Sequence, residues 1–310
     1  MVPVRCIGTT ADARYDAAVP FGKLHDEEVN AGSDLVAALV AEQFPDWADY
    51  SLDLVDHDGT DHVIYRLGPA MSIRMPRVHW ASDQAAKESR WLPVMADLLP
   101  LDVPVQLAVG VPSLGYPWSW SVHEWLDGID VTESVIADSP RAGAMLADIT
   151  KVLRTLDVSE APPSNRADLR ELDGVMTRYL PDCEGLVDTA AAAALWREVM
   201  QTPPAEAPVW IHGDLSSRNL LARNGQLVAL IDFGSSGWGD PAADLIAAWD
   251  FLTPDGVAAF RDALEVPNAE WLRGRGWALQ KGVVGLPYYK ESNPTFARYA
   301  RRLIERSLIG

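Results

Sequence analysis

Only two cysteines, Cys6 and Cys183, occur among 310 residues, which excludes a disulfide framework and a C-x-x-C metal pair. No uninterrupted apolar run approaches the ~18 residues that a membrane-crossing helix needs. The first residues show no basic start followed by an apolar stretch, so no signal peptide is expected. Basic residues are outnumbered, 26 against 44 acidic ones, leaving a formal charge of −18. That balance argues against a duplex nucleic-acid partner, since phosphate binding needs a basic face. Periodicity is missing too: the 22 glycines and 22 prolines are scattered, which rules out collagen-like repetition and low-complexity disorder. The expectation is a soluble, cytoplasmic protein with no nucleic-acid or membrane partner, whose acidity is compatible with a cationic ligand. The composition sets no oligomeric state.

What is present is a chain with 48% hydrophobic and 23% charged residues, enough for one large core or two moderate ones. Ser33 to Phe44 places Leu35, Val36, Leu39, Val40 and Phe44 on one helical face, with Ser33 or Asp34 available as N-cap. Residues 52–67 read as two strands around a turn at Asp58-Gly59, and a third strand runs from Ala70 to Met75. An amphipathic helix is expected over 82–99, kinked or interrupted by Pro93, followed by strand-like runs at 103–111 and 118–125. Beyond Gly128 the pattern turns helical, over 138–157, 168–180, 188–200 and most of 268–310, with strands at 209–211 and 227–232. The fold class is therefore α+β, with two lobes. We expect an N-terminal extension over 1–20, a small mixed lobe over 21–122, a connecting hinge over 123–128 and a larger helical lobe over 129–310.

The stretch 209–245 carries the chemistry. His212-Gly213-Asp214-Leu215 is followed by Asn219, five residues beyond the aspartate, then by a Gly225 turn, an apolar strand and Asp232-Phe233-Gly234. Phosphoryl transfer from a nucleotide needs a carboxylate that orients and deprotonates a hydroxyl, and oxygen ligands for Mg²⁺. The order H-x-D-L-x-x-x-N, strand, D-F-G supplies that set. Asp214 is the candidate base, and Asn219 and Asp232 are the candidate metal ligands. Either tripeptide alone is commonly a turn with an Asx hydrogen bond; jointly, with the asparagine at the right offset, chance is a poor explanation.

With these residues the sequence resembles the aminoglycoside phosphotransferase family of small-molecule kinases, relatives of choline and macrolide kinases. The resemblance rests on I-H-G-D-L-S-S-R-N-L-L, L-I-D-F-G and G-D-P-A-A-D-L. It extends through F-P-D-W-A, the Y-R-L-G to R-M-P-R stretch, S-V-H-E-W-L-D-G and L-P-Y-Y-K-E-S-N-P, covering roughly residues 20–308. It implies a bilobal protein-kinase-like fold, ATP or GTP in the cleft and Mg²⁺ bridging the phosphates. By the same resemblance His212 braces the catalytic loop rather than moving a proton. Asp240 and Asp244 look like the motif that follows the metal ligand, with Asp244 pinning the loop.

Two departures stand out. Kinases place a lysine on the third strand to hold the α- and β-phosphates; the matching residue here is Arg74, with Glu88 as its expected helix partner. Arginine can fork two phosphate oxygens, though the two cations are not interchangeable. The plain alternative is a surface ion pair of little worth. In place of G-x-G-x-x-G the phosphate cover is the H-D-G-T-D turn, where the amides of Gly59, Thr60 and Asp61 could meet phosphate. The hinge offers backbone at Glu124, Trp125 and Leu126 to a purine base, with Val122 against it; the alternative is an edge strand and a turn.

Only eight positions separate Asp232 from Asp240, too few for the activation segment that presents a polypeptide, and no A-P-E anchor follows. A small hydroxylated acceptor is therefore expected, with an aminoglycoside-like or other antibiotic as the leading class. Wall candidates are Trp238, Trp249, Asp262, Glu265, Glu270, Trp277, Tyr288, Tyr289 and Glu291. Carboxylates among them would suit a polyamine sugar, and apolar walls a macrolide. Two rivals stay open: a kinase of choline-like, amino-alcohol or sugar metabolites on the same fold, and a non-catalytic nucleotide-binding module.

Overall fold

The structure is a computed structural model that describes residues 28–55, 61–131 and 136–309. It divides into two compact units, residues 1–86 with 106–125 and residues 87–105 with 126–310.

The first unit begins with helix α1 (Ser33–Gln43), which buries Leu35, Val36, Leu39 and Val40, the face expected from their spacing. Its N-cap is Gly32, without a side-chain bond, rather than Ser33 or Asp34. The Gly32 carbonyl already accepts the Val36 N–H at 3.0 Å, so the helix starts one residue early and Asp34 falls in the first turn, where a carboxylate favours the N-terminal dipole. Strands β1 (Leu52–Leu54), β2 (His62–Leu67), β3 (Met71–Pro76), β4 (Gln106–Gly110) and β5 (Trp120–Glu124) form an antiparallel sheet in the order β1-β2-β3-β5-β4. The expected turn at Asp58-Gly59, with Gly59 and Thr60, lies outside the described residues.

One face of this sheet meets α1 through Tyr65, Ile73, Trp120 and Val122, all fully buried. Two tyrosines bury their rings while satisfying their hydroxyls, Tyr65 donating to Ala31 O at 2.7 Å and Tyr116 to Pro76 O at 2.6 Å. Trp120 lies flat over Gly110, its cross-strand partner: a β-carbon on Gly110 would come within 2.0 Å of the indole.

The second unit opens with helix α2 (Gln84–Leu98), whose first turn lies in the first unit. It continues through Pro93 without interruption. Both Pro93 and Ser89, one turn before it, are exposed, so the proline lies on the solvent side of the helix and its cost stays local. Leu92 and Met95 turn inward, and Trp91 packs on Trp210 with ring centroids 4.6 Å apart.

After β6 (Ile129–Asp130) come α3 (Ser139–Arg154), α4 (Asp173–Tyr179) and α5 (Thr189–Met200). Asp138 and Asp188 cap α3 and α5 by accepting backbone N–H groups at 2.9 Å. Strand β7 (Val209–Ile211) leads into the loop that carries Asp214, and the hairpin β8 (Leu220–Arg223) and β9 (Gln226–Leu230) follows. That hairpin turns on Asn224 (φ 52°) and Gly225 (φ 76°), the pairing an Asn-Gly type I′ turn requires. β10 (Gly237–Gly239) pairs antiparallel with β7, while β6, β8 and β9 form a separate three-stranded sheet. A wholly buried 3₁₀ segment, Pro241–Trp249, leads to α6 (Pro254–Leu264), α7 (Asn268–Tyr289) and α8 (Pro294–Ile309). One continuous apolar core runs through this unit, from Leu92 to Ile304.

The Gly110–Trp120 contact generates a test. Gly110→Ala must displace a fully buried indole and should destabilise the protein by about 1–3 kcal/mol, as overpacking does, read as a lowered urea midpoint. An unchanged midpoint would mean that the ring has room to move.

Candidate active site

Strand β7 delivers His212, Gly213 and Asp214 into a loop held mainly by its backbone. Gly213 has φ 81°, and a β-carbon there would lie 2.5 Å from Ser235 O; a left-handed, crowded position admits only glycine. Asp244, 1% exposed in the 3₁₀ segment, accepts the N–H groups of His212 at 2.7 Å and Gly213 at 2.8 Å, one on each carboxylate oxygen. Burial pushes its carboxyl up, against the nearby His212 and these two donors. Asp250, fully buried, accepts the Ser217 N–H at 2.6 Å and Arg302 Nη2 at 2.7 Å.

The His212 ring is buried against Phe233, centroids 4.8 Å apart. Its Nδ1 accepts the Asp214 N–H at 3.3 Å and its Nε2 lies 3.2 Å from Ile231 O. Both ring nitrogens are thus engaged, Nδ1 by a backbone N–H and Nε2 by a carbonyl. The ring spans from the catalytic loop to the end of β9.

Asp214 itself faces a cation. Its Oδ1 accepts from Lys281 Nζ of α7, with side-chain exposures of 26% and 11%. Burial pushes the Asp214 carboxyl up, but the Lys281 charge and hydrogen bond, with Arg166 and His212, outweigh it and hold the group at about 2. Against the ordinary 3.8 that favours the anion by about 2 kcal/mol. Arg166 reaches Gly213 O at 3.4 Å through Nε and lies over the Trp277 ring, 5.5 Å from its centroid.

Asn219 and Asp232 follow from the same loop. Asn219 Nδ2 donates to Asp214 O at 2.9 Å, and Asn219 O accepts the Ile231 N–H at 2.8 Å. The residue before Asp232 is thus tied to the residue five after Asp214. Asp232 sits in the left-handed region, φ 62° and ψ 71°, a strained placement that clusters at functional sites. Because its nitrogen is used, the Asn219 amide oxygen remains as a donor atom. An amide oxygen and a carboxylate suit a hard dication that also binds phosphate oxygens. Lys87 Nζ of α2 donates to Gly234 O at 2.7 Å, and burial draws that ammonium down to about 8 despite Glu88 and Asp232.

The structure brings Asp214, Asn219 and Asp232 together in this way. Arg74 is buried on β3 opposite Ile64 and Ser121, and it helps burial hold His123 near 3, a neutral imidazole. Glu88 is buried next to Lys87 and belongs to the second unit, whereas Arg74 belongs to the first. Glu124 ends β5, exposed, and Trp125 donates its N–H to Ala70 O at 2.8 Å, which removes that donor from a bound base. Leu126 opens the chain beyond it.

Several wall candidates serve other ends. Glu270 pairs with Arg154 at 2.5 Å, Trp277 donates to Asp240 at 3.1 Å and Trp249 packs on Trp271 in the core. Lys281, Arg166, Asp250 and Tyr299 surround the loop instead, and sequence reasoning missed them because none carries a motif. The one available signal was Lys281 itself, the lone charged residue between Trp277 and Leu286 on α7.

Comparison with known proteins is consistent with this geometry. A model of the phosphotransferase enzyme family matches residues 54–279. An aminoglycoside 3'-phosphotransferase of Enterococcus faecalis is 29% identical over 108 residues, 33% of this chain and 41% of that protein. The chain thus matches less than half the length of that curated relative. The GDP complex of an aminoglycoside 2'-phosphotransferase-IIIa superposes with a TM-score of 0.71 at 17% identity, covering 88% of this chain and 97% of that one. A macrolide 2'-phosphotransferase from Brachybacterium faecium gives 0.57 at 17% identity, covering 87% and 97%.

Asp244→Asn tests the loop anchor. An amide offers one acceptor oxygen and turns its NH₂ toward the second N–H, so a buried donor goes unmet at a cost of about 1–3 kcal/mol. Denaturant titration should show that loss, and hydrogen exchange should show faster exchange at His212 and Gly213; unchanged exchange at both amides would refute the anchoring role.

Proposed function

Because the chain belongs to the phosphotransferase enzyme family, we propose that it moves the γ-phosphoryl group of ATP or GTP to a hydroxyl of a small molecule. The supporting observation is the loop from His212 to Asp232, in which backbone and amide hydrogen bonds tie Asp214 to Asn219 and Asn219 to the residue before Asp232. Hydroxyl-bearing antibiotics are the first acceptors to test, since the relatives are named for aminoglycosides and macrolides.

In this reading the acceptor hydroxyl donates to Asp214, which orients its oxygen toward the phosphorus. A carboxyl held near 2 is a weak base, so the proton leaves late, as the O–P bond forms; a loose transition state asks for little more. Asn219 and Asp232 would hold Mg²⁺, which would supply charge neutralisation at the phosphate oxygens. Arg74 supplies a guanidinium to the nucleotide phosphates and the Glu124 carbonyl an acceptor to the base. The short link from Asp232 to Asp240 leaves no segment to present a polypeptide, which favours a small acceptor.

Measuring ATP and GTP consumption against aminoglycosides, macrolides and amino alcohols tests this reading. Asp214→Ala should lower kcat by roughly 10²–10⁴ with nucleotide affinity almost unchanged, since the group acts on the hydroxyl in the transition state. Retention of more than about a tenth of wild-type turnover would remove Asp214 from the chemistry. Asp232→Asn should weaken Mg²⁺–nucleotide binding as well, because a neutral amide is a poorer ligand for a hard dication; equal calorimetric affinities would show that Asp232 binds no metal.

A further inference from the structure

The side chains that act most strongly on Asp214 are cations, in a chain that is acidic as a whole. Formal charge over the sequence is −18, yet the group in contact with the Asp214 carboxylate is the Lys281 ammonium. The Arg166 guanidinium is close enough to act on both Asp214 and Lys281. Tyr299, 2% exposed, is a shared platform for three cations: Lys281 Nζ lies 5.4 Å from its ring centroid, and the Cζ atoms of Arg218 and Arg302 each lie 5.6 Å away.

Four buried or half-buried carboxylates of this unit are engaged elsewhere. Asp250 holds Ser217 N–H and Arg302, and Asp244 holds two backbone N–H groups. Asp240 holds Arg273 and the Trp277 indole, and Glu270 holds Arg154. Solvent-exposed charges are screened beyond about 8 Å at physiological ionic strength, so acidic side chains farther away than that do not offset the local cations.

From this arrangement we infer that the acceptor presents oxygen rather than ammonium groups beside its reactive hydroxyl, and that Lys281 and Arg166 read them. The acceptor class is a neutral or anionic hydroxylated molecule, a polyol, hydroxy acid or sugar phosphate, whose oxygens accept from these two cations. A polycationic amino sugar docking against Asp214 must set an ammonium beside Lys281, and like charges there oppose binding. Lys281 is in this sense a specificity residue. The inference rests on the proposed phosphotransfer activity and specifies its acceptor.

The test uses the full chain with Mg²⁺ and ATP or GTP, and three probes: kanamycin as polycation, glucose as neutral polyol and glucose 6-phosphate as anion. Acceptor kcat/KM and calorimetric Kd are measured for wild type and Lys281→Gln. We expect glucose 6-phosphate or glucose to exceed kanamycin at least tenfold in wild type by whichever readout is measurable. The glucose and glucose 6-phosphate arms separate a neutral from an anionic acceptor. In Lys281→Gln the ratio should move at least fivefold toward kanamycin. Tighter binding or faster turnover of kanamycin in wild type overturns the inference, as does a ratio that stays within twofold in the variant. Absence of Mg²⁺-dependent nucleotide turnover with every probe and with water is a separate failure, that of the phosphotransfer reading; the calorimetric ratio still decides the charge preference.

Discussion

The site depends on one buried carboxylate placed where two adjacent N–H groups have no other partner. Residues 212 and 213 leave strand β7 in a conformation that only a glycine at 213 permits, and their amides point inward. Asp244 meets both, one on each oxygen, and Asp250 does the same for Ser217 further along the loop. Buried amides left unmet would each cost on the order of 1–3 kcal/mol, so the loop and the segment Pro241–Trp249 fold together or not at all. Placement of Asp214, Asn219 and the end of β9 follows, because the His212 ring and the Asn219 backbone tie them to this anchored stretch.

A second consequence concerns charge. Asp214 lies where burial alone would favour the neutral acid, and a neutral acid could not accept the proton of a hydroxyl. Lys281 and Arg166 reverse that preference. The pair is partly exposed, so its worth lies less in stability, where exposed ion pairs contribute little, than in fixing the protonation state and direction of one oxygen. The same ammonium then restricts what can approach: one interaction serves orientation and selectivity together.

How much of this could be read from the sequence follows from distance along the chain. The His212–Asn219 and Asp232–Gly234 motifs are local, so spacing alone identified them, and so did the strands on either side, whose β-branched runs and Asn224-Gly225 turn carry their own signals. The α+β class and the helical second half came from periodicity in the same way. Local rules misjudged details that solvent and backbone geometry decide. Pro93 sits inside a continuous helix on its exposed side, and α1 is capped by Gly32 because the chain is already extended there. The partners of the loop were out of reach for another reason: Asp250, Arg166 and Lys281 lie tens of residues from Asp214, in segments whose composition suggests only ordinary helix or turn. The acidic and aromatic residues proposed for the acceptor wall were chosen by type, and type does not reveal that Glu270 and Trp277 are already engaged.

Asp214 stands as an anion held by Lys281 within a loop fixed by buried carboxylates. The most direct measurement is an NMR titration of ¹³C-carboxyl-labelled aspartates, with Asp214→Asn identifying the resonance. The account predicts that Asp214 stays ionised through pH values where ordinary aspartates protonate, with a midpoint near 2 rather than 3.8, and that Lys281→Met raises it. A wild-type midpoint at or above 3.8, or one that does not respond to loss of Lys281, would contradict it.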